Sequence, residues 1–239
     1  AASEFDAMPP TGEWDNFQWV TTIGSTTVSG GLLTVDGTRL NTEPSSLTFG
    51  PGNFVEFVAT FNAVANQHIG FGAGTDAVTP GGIFNVFPFA IFSTGSGGTL
   101  LSARTYELNT TPHEFALSSS YLGAMHLYRI EWTATGFNYL IDGALVHTEP
   151  VAITTPMRVG IADYTAGGQT LSVDWIHASP FASSGTFESR IYNAGALKTW
   201  GTAIWTSDLP AGTSLQVSAR KGNTPTPDLS WGSYSSIAT

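Results

Sequence analysis

The chain has 239 residues and carries 8 Lys and Arg against 18 Asp and Glu, a formal charge of −10 that argues against nucleic acid or an anionic membrane surface as a partner. With 41% hydrophobic residues it is too apolar for disorder, yet it lacks the run of about 18 apolar residues that inserts into a bilayer. There is no Cys, which removes disulfide scaffolds, thiolate metal sites and cysteine nucleophiles.

The first residues, Ala1-Ala2-Ser3, show neither a charged n-region nor an apolar core, so any secretion signal is expected to be gone already. Helical periodicity is broken throughout by Gly or Pro, whereas period-two runs between turn residues recur. Strands are predicted over 31–35, 54–61, 69–72, 83–93 and 101–107. The clearest block is 127–147. In Tyr128-Arg129-Ile130-Glu131-Trp132 the apolar side chains share one face, with Arg129 and Glu131 on the other. After a turn at 133–136, Phe137, Tyr139 and Ile141 share a face. Asp142-Gly143 then fits a two-residue type I′ hairpin, whose central positions both need positive φ, and 144–147 completes a three-stranded meander. Alternation returns at 157–161 and 171–175. Strands at this spacing without helices predict an all-β fold over 1–178, a β-sandwich or barrel.

Ser-Pro-Phe-Ala-Ser-Ser-Gly at 179–185 reads as a linker. Beyond it, 186–239 holds alternations at 187–191 and 214–220 before Pro225 and Pro227 end regular structure. A segment that short makes a thin core, so it is expected to be a small or partial β module.

The order of segments over 1–178 resembles the concanavalin A-like lectin/glucanase superfamily. The most specific stretch, Leu127-Tyr128-Arg129-Ile130-Glu131-Trp132 followed by Tyr139-Leu140-Ile141-Asp142-Gly143, is similar to the Y-x-I-x-W and V-D-G segments of laminarinase-type glycoside hydrolases. Val173-Asp174-Trp175-Ile176 is similar to the closing strand of that family, and 54–58 and 68–72 occupy the places of earlier strands. The resemblance implies a jelly roll, a two-sheet antiparallel β-sandwich with one sheet curved into a concave binding face. The tail resembles a segment repeated in secreted bacterial multidomain proteins, through Ser184-Gly185-Thr186-Phe187, Asn193-Ala194-Gly195, Trp200-Gly201, Pro210-Ala211-Gly212 and Gly222-Asn223-Thr224.

Hydrolases of that family carry E-x-D-x-x-E on one strand, because period two puts all three carboxylates on one face. Two of them stand about 5–5.5 Å apart as nucleophile and acid/base. The strand in that place is 83–93, and no acidic residue lies between Asp76 and Glu107. The inherited glycosidase chemistry is therefore expected to be absent. The five His residues form no H-E-x-x-H or His-x-His pair. Any other enzyme on this fold, a lyase or a hydrolase, would draw on Glu56, His68, Arg104, Tyr106, Glu107 and Glu131.

Asn85, Phe87 and Phe89, if they face the concave side, would offer flat rings beside an amide, a combination suited to sugars. The competing reading is a central strand buried on both faces. Trp14 and Trp19 stand in a polar stretch as stacking platforms or as caps on the open end of the sandwich, and His68 near a strand start joins the ligand-binding candidates. Tyr106, Tyr121 and Trp231 are weaker ones. The resemblance also implies a structural calcium held by Asp174, with Glu4 or Asp6 and the Asp36-Gly37 turn completing an all-oxygen set; the alternative is a plain outward-facing strand residue. The expected partners are a polysaccharide or cell-surface glycan and neighbouring domains of a larger extracellular protein. A non-catalytic binding or adhesion module is the leading expectation, against an enzyme with an unfamiliar site or an architectural spacer.

Overall fold

The structure is a computed structural model, and it describes residues 2–10, 12–18, 22–43, 47–74, 82–84, 86–107, 112–179, 185–207, 209 and 213–238. It divides into two compact units, Ala1–Ala182 and Ser183–Thr239. In chain order the strands are β1 (Ala2–Ser3), β2 (Trp14–Gln18), β3 (Ser25–Ser29), β4 (Leu32–Asp36), β5 (Thr38–Thr42), β6 (Phe54–Thr60), β7 (Gln67–Gly72), β8 (Phe89–Ser93), β9 (Ser102–Tyr106), β10 (His113–Ala116), β11 (Met125–Trp132), β12 (Phe137–Ile141), β13 (Ala144–Glu149), β14 (Arg158–Asp163), β15 (Leu171–Ala178), β16 (Val217–Ala219) and β17 (Ser235–Ala238).

The first unit is an antiparallel sandwich. One sheet runs β13-β12-β11-β6-β15-β4-β3, with β1 also on β15, and the other runs β10-β9-β8-β7-β14-β5-β2. Alternation decides which side chains enter. On β11 Tyr128, Ile130 and Trp132 are buried, while Arg129 and Glu131 stay at the surface. The expected hairpin is present, with φ of 51° at Asp142 and 78° at Gly143. Its exposed aspartate accepts from the Leu127 amide at 3.0 Å and sits 2.7 Å from His126 Nδ1, which holds its carboxyl below the usual range.

Between the sheets lies a continuous aromatic core that includes Phe57, Phe71, Phe92, Tyr128, Trp132, Phe137 and Tyr139. Polar tips inside it are paired: Trp132 Nε1 donates to the Ile153 carbonyl at 3.0 Å, and the Tyr139 hydroxyl lies 2.7 Å from Thr105 Oγ1. At one side β10 and β13, the end strands of the two sheets, meet through His113 Nδ1 and Glu149 Oε1 at 3.2 Å and through Phe115 stacked on His147 at 4.2 Å.

The second unit is built differently. Its only sheet among the described residues is the β16–β17 pair, short of the 214–220 strand expected from alternation, and 187–191 has no regular structure. Arg220 is its organising side chain, 2.8 Å from Glu188 and stacked over Tyr234 at 4.6 Å and Trp231 at 5.7 Å. Every described residue from 185 on is at least partly exposed, Phe187 as much as 90%.

Candidate binding face

The outer face of the seven-stranded sheet is where the resemblance puts a binding cleft. The alternation of β8 sends Ala90 and Phe92 into the core and leaves Phe89, Ile91 and Ser93 facing outward. None of the three is a carboxylate. Their neighbours in register are Gly72, Gly70 and His68 on β7, and Tyr106, Arg104 and Ser102 on β9.

The strand predicted over 83–93 is shorter than expected. Only Phe89–Ser93 is strand, and Gly82–Phe84 form a 3-10 turn lying back over the sheet. Pro88 has no amide hydrogen to give a ladder, so the strand cannot run on through it. The turn is held by the Gly74 amide on the Ile83 carbonyl at 3.1 Å. Ile83 and Phe84 bury Phe89, Ile91 and Ala162 in a second apolar cluster, separate from the main core, with Tyr106 and Tyr164 packed against it. Two glycines make room for them. A Cβ at Gly72 would collide with the Ile83 carbonyl, and one at Gly160 would stand 2.7 Å from Ile83 Cδ1.

Beside the turn, His68 Nδ1 lies 2.9 Å from Ser93 Oγ, which also accepts from the Gly95 amide at 2.9 Å and from Arg104 Nη1 at 3.3 Å. With both lone pairs of Ser93 occupied, its proton is directed to His68 Nδ1. That fits a neutral imidazole, since burial, helped by the Arg104 charge, lowers the His68 pKa to about 3. His68 is thus a largely buried residue whose Nδ1 is occupied by Ser93, edge-on to Tyr164 at 4.9 Å.

The accessible part of the face lies along β9. Phe87 is 42% exposed and stacks on Tyr106 with ring centres 4.6 Å apart and planes 10° from parallel. Arg104 Nε stands 3.4 Å from Glu114 on β10, and that carboxylate is 43% exposed. Beyond them a groove of about 340 Å³ runs between Ser102, Arg104 and Glu114 and the loop containing Gly95, Ser96 and Gly97. One strip therefore presents an aromatic platform, a carboxylate beside a guanidinium and a polar groove.

Of the expected ligand residues that the structure describes, only Phe87 is on this strip in the open. Phe89 is under the turn, a correction to its expected exposure that follows from Ile83 and Phe84 folding back. Trp14 is interior at 4% exposure, against Phe5 at 6.4 Å, because β2 turns its first side chain between the sheets. Asn85 and Trp19 lie outside the described residues. Glu114 and Ser93 were not legible as site residues, since only strand pairing brings them beside Arg104.

The alternative catalytic set is divided. Glu56 and Glu131 flank Arg129 at 3.4 and 2.9 Å on the outer face of the other sheet, and Glu107 faces His113 at 3.5 Å. His68, Arg104 and Tyr106 are on the sheet described above. Asp174 sits in a bulge of β15, Glu4 pairs with His177, and Asp36 accepts from the Gly167 amide at 2.9 Å. Among the described residues no three His, Asp or Glu side chains are placed to hold one metal ion.

No protein-family model matches the chain, and no curated protein matches it. Solved structures do match. An immunostimulatory antigen and pseudo beta-1,3-glucanase of Mycobacterium tuberculosis is similar at 14% identity and TM-score 0.53, over 74% of this chain and 97% of that one. An endo-beta-1,3-glucanase from Pyrococcus furiosus is similar at 12% identity and TM-score 0.54, over 74% and 92%. A laminarinase from Flavobacterium sp. UMI-01 is similar at 16% identity and TM-score 0.53, over 74% and 97%. At these identities the likeness is one of fold: this chain contains a β-sandwich of the laminarinase and β-glucanase jelly-roll type.

Proposed function

We propose that the sandwich is a non-catalytic module that binds a neutral polysaccharide of β-glucan type along β9. The observation that carries this is the exposed Phe87–Tyr106 stack beside the Arg104–Glu114 pair, on a face whose outward β8 positions are Phe89, Ile91 and Ser93. A flat ring gives a sugar its apolar contact, and a half-exposed carboxylate beside a guanidinium can accept from sugar hydroxyls. The formal charge of −10 works against a polyanionic glycan. The neighbouring folds that act on β-1,3-glucan point to the same ligand class. Such a module belongs outside the cell, where its second unit would join it to neighbouring domains of a larger protein. No described helix is long and apolar enough to cross a membrane.

Titration of the whole chain with laminarin, alongside an assay for released reducing ends, tests the reading. Saturable binding without product supports it. Product would favour an enzyme, and no binding to laminarin or any other neutral glucan would leave the spacer.

A further inference from the structure

We infer that His113 is an acid-operated clasp on β10, the strand that carries Glu114, so that glycan binding tightens as pH falls from about 8 to about 5, where imidazole gains its proton. This rests on the glycan reading above. β10 is an end strand of four residues paired with β9, and the register sets Glu114 beside Arg104 on the outer face. His113 and Phe115 alternate to the other side, toward β13, where Phe115 stacks on His147. The His113 ring stands between two carboxylates. Its Nδ1 is 3.2 Å from Glu149 on β13, and its Nε2 is 3.5 Å from Glu107, the residue after Tyr106. A neutral imidazole has one N–H and turns a lone pair toward whichever carboxylate it does not serve, whereas the imidazolium has a proton for each. The second oxygen of the buried Glu149 lies 3.2 Å from His147 Nε2, a contact that a neutral ring can supply. Of the other charged groups nearby, Arg104 and Glu114 face each other on the outer side, and the 108–112 connection contains no titratable residue. Tyr139 on β12 is uncharged in this range, since burial pushes its hydroxyl up. Acid therefore ties β10 through one ring to the end of β9 and to the opposite sheet, and loss of the proton releases one of the two. Tyr106 and Glu114, the ring and the carboxylate of the binding strip, each adjoin a member of the clasp in sequence, so the release loosens both.

The test is titration of the whole chain with laminarin at about pH 5.5 and about pH 8. The native chain should bind about threefold more weakly at the higher pH, the scale of one partly exposed ion pair. In E107Q the new amide can donate to the ring, so a neutral His113 serves both sides, and the affinity should be the same at the two pH values. A native affinity that does not change with pH, or an E107Q chain that keeps the native dependence, would overturn the inference and leave the glycan reading intact. Absence of binding at both pH values would overturn the glycan reading and with it the control of binding. The clasp is also measured without ligand, by urea unfolding of the native chain and H113Q, a difference that cancels every titrating group the two share. The advantage of the native chain should be present at about pH 5.5 and shrink toward about pH 8, since the folded state favours the protonated ring. A difference that stays constant with pH would overturn the clasp itself.

Discussion

Replacing Asp163 with Asn should flatten the pH dependence of stability. Asp163 is buried at the end of β14, where its carboxylate accepts from Gln67 Nε2 at 2.9 Å and from the Thr165 amide at 3.0 Å. Burial outweighs these donors, and nearby Asp36 adds repulsion, so the group is pushed up from 3.8 to about 7. Some three pH units at about 1.4 kcal/mol each come to about 4 kcal/mol. Between those values the folded chain keeps a proton that the unfolded chain has lost. The stabilisation is therefore complete below pH about 4 and is lost as pH rises through about 7. An Asn side chain presents one acceptor where the carboxylate presents two, which costs about 1–2 kcal/mol at every pH and moves the curve without changing its shape. Urea unfolding followed by tryptophan fluorescence from pH 4 to 8 gives the comparison. The native chain should lose about 4 kcal/mol relative to D163N across that range. Parallel profiles would refute the reasoning, because they would mean that Asp163 is ionised throughout.

Phe87→Ala should weaken laminarin binding about tenfold, or about 1.4 kcal/mol, with little change in melting temperature, because the ring lies at the surface outside the main core. Equal binding by titration would count against the stacking platform. Trp132→Phe should cost about 2–4 kcal/mol in urea unfolding, since it leaves both a void and the buried Ile153 carbonyl without its donor. Tyr139→Phe should cost about 1–2 kcal/mol, as its hydroxyl bridges Thr105 and the Arg104 carbonyl, and through Arg104 it should also disturb glycan binding. Calcium chelation should leave the melting temperature unchanged, because the Glu4 carboxylate is paired with His177 and that of Asp36 accepts from the Gly167 amide. A fall of several degrees in a thermal melt with chelator would instead place a calcium clamp on Asp174 and backbone carbonyls.

Local rules sufficed for much of the sandwich. Period two on Tyr128-Arg129-Ile130-Glu131-Trp132 assigns each side chain to a face without knowledge of the partner strand. Asp142-Gly143 fixes the hairpin, because few other pairs tolerate positive φ twice in succession. The absence of any acid between Asp76 and Glu107 likewise leaves β8 without carboxylates, whatever the rest of the chain does. Other features depended on what lies opposite. Strands such as β5, whose Arg39 and Asn41 are polar yet buried, carry no alternation to read, since their burial comes from pairing with β2 and β14. The run of aromatics at 84–92 was compatible with an open cleft or a packed strand, and the tertiary structure divided it. Phe92 went to the core, Phe89 went under the turn, and Phe87 stayed in the open on Tyr106. Hydrophobicity alone cannot make that division, because it favours burial without saying against which surface. The missing Cβ atoms of Gly72 and Gly160, far apart in sequence but on neighbouring strands two positions apart in register, decide where Ile83 fits.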